Sequence, residues 1–62
     1  MKSVREYLKL TGLTQAELAK RAKIDASQLN HFLSGKRQPS VKNIRKLSAV
    51  TGITIENLVK EI

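Results

Sequence analysis

The residue types that carry out catalysis or bind metals are scarce in this chain. It contains no cysteine and a single histidine, His31. Its five carboxylates are Glu6, Glu17, Asp25, Glu56 and Glu61. They are scattered without the spacing of metal ligands, whereas a metal site or an activated nucleophile needs several such groups close together. We therefore expect no enzyme, no metal site and no cofactor.

Basic residues are the charged groups that the chain has in excess, and they are concentrated in its middle. Eight of the twelve lysines and arginines lie between Lys20 and Lys46, where Asp25 is the one acid. The remaining residues hold four bases and four acids, so the formal charge of +7 belongs to this segment. A localised positive face indicates a polyanionic partner. The alternative, a charge that serves solubility alone, would more naturally be spread along the chain.

The elements that must position these groups are helices, because helix start signals recur along the chain. Thr14 and Ser3 are each followed three residues later by a glutamate, which is the capping-box spacing, and Asp25 precedes Gln28 in the same way. A hydrophobic pair, one residue before the cap and four after it, flanks each of three caps. These pairs are Leu13 and Leu18 around Thr14, Ile24 and Leu29 around Asp25, and Ile53 and Leu58 around Thr54. Ser40, which follows a proline, is a further predicted cap.

The stop signals agree with the starts, because all three glycines follow runs with apolar residues at helical spacing. The predicted helices span residues 3–10, 14–21, 25–33, 40–51 and 54–60. With no alternating strand pattern, repeat or linker, we predict one all-α domain over residues 1–62. The predicted inward positions are Val4, Leu8, Leu18, Ala19, Ala22, Leu29, Phe32, Leu33, Val41, Ile44, Leu47, Ile55, Leu58 and Val59.

The segment from Leu13 to Ser40, LTQAELAKRAKIDASQLNHFLSGKRQPS, resembles the helix-turn-helix of the phage repressor and Cro-like family of bacterial regulators. The matching features are the LTQ-x-E-L-A opening, the apolar residues Ile24, Leu29 and Phe32, and the S-G-K-R-x-P-S loop. The resemblance implies a compact five-helix, lambda-repressor-like fold with the helix-turn-helix at about residues 14–33. It also implies sequence-specific binding of double-stranded DNA by a transcriptional regulator, with residues 25–33 in the major groove.

The chain departs from the pattern of this family at two places. Lys23 stands in the turn where glycine is usual, at a cost of roughly 1 kcal/mol for a left-handed conformation. Leu8 and Leu33 stand where the family commonly has a buried arginine and glutamate. Replacement of a buried ion pair by an apolar pair tends to be neutral or stabilising, so we predict that Leu8 and Leu33 are in direct contact.

The resemblance and the outward face of the third helix together suggest the residues that would contact DNA. Those predicted to contact bases are Ala26, Ser27, Gln28, Asn30 and His31. Those predicted to contact phosphates are Gln15, Lys36, Arg37, Ser40, Lys42 and Asn43. Phosphate contacts position such a protein, and base contacts give it specificity.

One such helix covers half a site, so the resemblance implies a homodimer on a pseudo-palindromic operator. The predicted dimer surface consists of Ile53, Ile55, Val59 and Ile62. No apolar run approaches the roughly 20 residues that cross a bilayer, and no signal peptide is evident, so we expect a cytoplasmic protein that does not bind membranes. The alternative function is a protein-interaction module, such as an antitoxin-like or phage accessory partner, whose DNA binding is secondary.

Overall fold

The computed structural model describes all residues from Met1 to Ile62 and contains five α-helices. In chain order these are α1 (Lys2–Thr11), α2 (Gln15–Ala22), α3 (Ala26–Ser34), α4 (Val41–Thr51) and α5 (Ile55–Lys60). The predicted all-α architecture is confirmed, and every boundary lies within one residue of its prediction. No helix has both the length and the apolar character that a membrane crossing requires.

Hydroxyl side chains begin three of the five helices. Thr14, Ser40 and Thr54 each accept a hydrogen bond from the amide three residues ahead, at 3.1, 3.3 and 3.2 Å. Each bond satisfies one of the amides that a helix leaves without a partner at its start. At Thr14 the capping box is complete, because the Glu17 carboxylate in return accepts a hydrogen bond from the Thr14 amide at 3.2 Å.

The turn between α2 and α3 contains the one non-glycine residue with a positive φ. Lys23 lies in the left-handed region, with φ 56° and ψ 43°, and ends α2. The amide of Ile24 then donates to the Ala19 carbonyl at 2.9 Å, so the chain turns within three residues before α3 begins. The lysine therefore adopts the left-handed conformation that glycine adopts more readily, at an energetic cost.

Eleven buried side chains form one hydrophobic cluster. They are Val4, Leu18, Ala19, Ala22, Ile24, Leu29, Phe32, Leu33, Ile44, Leu47 and Leu58. Three residues predicted to face inward do not: Val41, Ile55 and Val59 are 64%, 43% and 52% exposed. Val41 opens α4, where the preceding Pro39 is buried instead. The short α5 buries Leu58 alone and leaves its other apolar face uncovered.

The predicted capping box of Ser3 and Glu6 is wrong, because Ser3 bonds to the other end of the chain. Helix α1 begins at Lys2 without a side-chain cap from the residue before it. The Ser3 amide donates to one carboxylate oxygen of Glu61 at 3.0 Å, and its hydroxyl donates to the other. Burial acts to raise the pKa of Glu61, but the Ser3 hydrogen bonds, the N-terminal ammonium and Lys2 together lower the pKa below its ordinary value of 4.5.

Helix α3 is held between two neighbours, since α1 and α2 both pack against it while α4 packs against α2 and α5. Leu33 is buried in the cluster near the end of α3, and Leu8 is half-buried against that cluster. Their direct contact stays a prediction.

Candidate nucleic-acid interface

The outward face of α3 carries short polar side chains that are free to meet a partner. Ala26, Ser27, Gln28 and Asn30 are exposed, while the apolar residues of the same helix are buried. His31 is half-buried, so its ring is less available to a partner than the exposed side chains of this face are. Along α3 these side chains form what we call the α3 strip, which consists of the exposed Ala26, Ser27, Gln28 and Asn30 and the half-buried His31.

At the start of α3, the side-chain carboxamide of Gln28 has no hydrogen-bond partner within the protein. The Asp25 carboxylate accepts hydrogen bonds from the amides of Ser27 and Gln28, at 2.9 and 3.2 Å. The Gln28 side chain does not close the capping box, and it forms no hydrogen bond within the protein. Asp25, the one acid of the basic segment, is thus committed to capping, and the Gln28 carboxamide remains free.

The loop after α3 is fixed to that helix through its backbone. Gly35 ends α3 with φ 81°, and the amides of Lys36 and Arg37 donate to the His31 carbonyl at 2.9 and 3.3 Å. Both bonds end on one carbonyl of the last turn of α3. Both basic side chains are exposed. The backbone that bears these two basic side chains is therefore held in a fixed position relative to the α3 strip.

The start of α4 adds a second group of donors. Ser40 is exposed, but its hydroxyl accepts from the Asn43 amide and so already serves as the helix cap. The amides of Val41 and Lys42 donate no hydrogen bond within the protein. The Lys42 side chain is exposed, and Asn43 is half-buried. Unpaired amides at a helix start, next to a lysine, favour an anion.

The start of α2 also has unpaired backbone amides. It lies about 10 Å along the helix from the turn that ends α2. Gln15 is the first residue of α2 and is half-buried, with no hydrogen bond from its carboxamide. The amides of Gln15 and Ala16 likewise have no partner within the protein. Gln15 therefore begins a helix whose amides are available to an anion.

The electrostatics of the molecule favour a polyanion. The one ion pair joins Lys60 to Glu56 in α5, at 3.6 Å between two largely exposed side chains. None of the eight bases between Lys20 and Lys46 has a carboxylate within 4 Å. Unneutralised cations on one stretch of chain attract phosphates through a field that neighbouring acids do not cancel.

Two contacts of basic side chains were not predicted. Arg5 donates from its guanidinium to the Leu33 carbonyl at 2.7 Å, and the Lys46 ammonium donates to the Lys23 carbonyl at 3.2 Å. A signal for the first existed, because Arg5 lies three residues before Leu8 and so on the same side of α1. The second depends on how α2 and α4 pack, which local sequence patterns do not reveal.

The residues predicted to form a dimer surface lie at the C-terminal end of the structure. Ile55, Val59 and Ile62 are 43%, 52% and 42% exposed. Ile53 is half-buried and packs against the core, so only part of its side chain is open to a partner. The exposed three form an apolar surface that we call the α5 patch.

Comparison with known protein families gives a match. A family model described as helix-turn-helix matches residues 4–58, from the first turn of α1 to α5. No curated protein and no solved structure matches the chain.

Proposed function

The chain belongs to the helix-turn-helix family of DNA-binding regulators, and we propose that it is a sequence-specific, Cro- or repressor-like transcriptional regulator. In this proposal residues 1–62 act as one domain that inserts α3 into the major groove of double-stranded DNA. The observation that carries the proposal is the α3 strip, whose side chains are polar and exposed except for the apolar Ala26 and the half-buried His31, and which lies opposite the buried apolar residues of the same helix.

Base reading follows from the chemistry of the strip. The free carboxamide of Gln28 suits a bidentate pair with adenine, and the Ala26 methyl suits contact with a thymine methyl. Ser27 or His31 would donate to guanine or accept from cytosine, and Asn30 offers a further amide. Each good contact discriminates against a wrong base by about 1–3 kcal/mol.

Phosphate anchoring would come from both sides of the strip. We propose that Lys36 and Arg37 clamp the backbone on one side, together with the start of α4, where Ser40, Lys42 and Asn43 lie. Gln15 and the free amides of α2 would take a phosphate on the other side. The backbone bonds from the loop to His31 support this division, because they keep the clamp in register with α3.

We further propose a homodimer on a pseudo-palindromic operator. The protein measures 24 × 21 × 18 Å, so one copy is shorter than the roughly 34–36 Å between successive half-sites. The α5 patch is the apolar surface available for a second copy. Val59→Lys should abolish dimers in sedimentation, whereas Leu10→Lys, at an exposed leucine of α1 outside the patch, should not. A wild-type chain that stays monomeric at high concentration and on DNA contradicts the dimer.

Selection of bound duplexes from a random DNA pool tests the central proposal. A single enriched motif is expected, and Gln28→Ala should lose about tenfold or more in affinity for it. Asn57→Ala, which removes an exposed amide from α5, is the matched control and should bind as wild type. Enrichment of no motif would favour the alternative, a protein-interaction module with secondary DNA binding.

The salt dependence of binding tests the phosphate clamp separately. The double variant Lys36→Ala with Arg37→Ala should weaken binding to all duplexes and reduce the slope of log affinity against log salt by about 1.8. The double variant Lys9→Ala with Lys60→Ala removes the same charge from outside the basic segment and should keep the slope. An unchanged slope in the first variant would refute the clamp.

A further inference from the structure

Arg5 and Lys46 contact backbone carbonyls on either side of α3, and each comes from a helix outside the helix-turn-helix. Arg5 of α1 reaches the Leu33 carbonyl at the end of α3, and Lys46 of α4 reaches the Lys23 carbonyl just before its start. We propose that Arg5 and Lys46 are positioning residues that hold α3 at the angle at which it reads DNA. This inference rests on the proposed role of α3 in base reading.

The Arg5 contact satisfies one of the carbonyls at the end of α3. The carbonyls of the last turn of a helix have no partner within the helix. The amides of Lys36 and Arg37 satisfy the His31 carbonyl, the Gly35 amide satisfies the Phe32 carbonyl, and the guanidinium of Arg5 satisfies that of Leu33. A cation at this end also interacts favourably with the helix dipole. Arg5 is therefore bound at a helix end whose partial negative charge attracts a cation.

The contact also gives a direction to the packing of α1 on α3. The apolar pair predicted for Leu8 and Leu33 can hold the two helices together, but hydrophobic contact is non-directional. A hydrogen bond requires a narrow range of distance and angle. The bond from Arg5 ends on the same residue, Leu33, and so restricts rotation and sliding of α3 that the apolar pair would allow.

The Lys46 contact fixes the other end. Lys23 lies in a left-handed conformation that costs energy, and its carbonyl belongs to the turn that sets how α3 leaves α2. An ammonium from α4 bound to that carbonyl ties the turn to a third helix at 3.2 Å. Helix α4 packs on α2, so Lys46 connects the turn to the helix on which α2 rests.

The competing interpretation is that Arg5 and Lys46 contact DNA phosphates directly. The two roles differ in their salt dependence, because a cation bound to a carbonyl releases no counterion from DNA. They differ also in specificity, because loss of a phosphate contact weakens binding to every sequence about equally. A positioning residue instead acts on the duplex that α3 reads.

The experiment compares Arg5→Gln and Lys46→Gln with wild type on the selected duplex and on a scrambled duplex, over a range of salt. We expect each variant to lose about tenfold in affinity for the selected duplex and much less for the scrambled one, with an unchanged salt slope. Lys36→Gln is the control for a phosphate contact and should weaken both duplexes and reduce the slope by about 0.9. Arg5→Lys and Lys46→Arg, which keep a charged donor, should recover much of the specificity.

A slope reduced by about 0.9 with an unchanged ratio of affinities would overturn the positioning role. Amide hydrogen exchange of the DNA-free protein keeps the inference testable if wild type prefers no duplex. Arg5→Gln should then speed exchange in the last turn of α3, and Lys46→Gln in the turn around Lys23, ahead of the rest of the molecule. Exchange in α3 that matches wild type would overturn the inference by itself, whereas the absence of any preferred duplex concerns the proposed function alone.

Discussion

Lys23→Gly should stabilise the protein, since it relieves the one unfavourable backbone conformation of the fold. Lys23 has φ 56° and ψ 43°, a region that costs a residue with a side chain roughly 1–2 kcal/mol. Glycine avoids this cost but increases the entropy of the unfolded chain, which offsets about 0.4–1 kcal/mol. The middles of the two ranges leave a net gain of about 0.8 kcal/mol, or an increase in Tm of about 3–6 °C for a domain of this size. The bond from Lys46 survives, because it ends on a backbone carbonyl.

Thermal unfolding followed by circular dichroism measures this gain. Lys23→Ala is the matched control: it removes the same charge and side chain but keeps Cβ, and so retains the left-handed cost. We expect its Tm to stay near that of wild type. A Lys23→Gly variant no more stable than wild type, or an alanine variant that gains as much, would show that backbone conformation is not what limits this turn.

Three further predictions concern stability. Gly35→Ala should lower Tm by about 3–6 °C in the same assay, since a Cβ there meets no atom within 4 Å and the cost at φ +81°, less the lost entropy of the unfolded glycine, is purely conformational; an unchanged Tm would contradict this. Leu29→Ala should cost about 2–5 kcal/mol in urea unfolding, because Leu29 is fully buried, and a loss below 1 kcal/mol would mean that the core collapses around the gap. Because the folded-state pKa of Glu61 is lowered, its stabilisation is present above pH 4.5 and is lost as pH falls through the folded pKa. Glu61→Gln should therefore lower Tm at pH 7 and lose less Tm on acidification than wild type does, whereas equal acid sensitivity in the two chains would refute the role of Glu61.

Helix boundaries could be predicted from the sequence because their determinants are local. Thr14, Ser40 and Thr54 act through amides three residues away, so short sequence patterns contain the whole interaction. Ser3 shows the limit of such patterns. It has the same spacing to a glutamate as Thr14, but the structure brings the Glu61 carboxylate to it from 58 residues away.

In the candidate site, too, the features set by local sequence could be predicted and those set by helix packing could not. Exposure along α3 follows from helical periodicity, since the buried positions of Leu29, Phe32 and Leu33 leave the opposite face outside. The contacts of Arg5 and Lys46 depend on which helices pack together, and periodicity does not supply that information. The base and phosphate contacts themselves stay predictions, because they depend on a partner as well as on the chain.

The hydrogen bonds between Ser3 and Glu61 bring the first and last helices of the domain together. Residues at the two ends already lie side by side in the native state, so a short glycine linker from Ile62 to Met1 would close the chain with little distortion. Closing a loop of about 60 residues removes unfolded-state entropy worth ~4 kcal/mol by the chain-entropy relation. The exposed turn at Gly12 would then offer a place for new termini outside the helix-turn-helix. We therefore expect cyclised and circularly permuted forms of these 62 residues to keep the five helices.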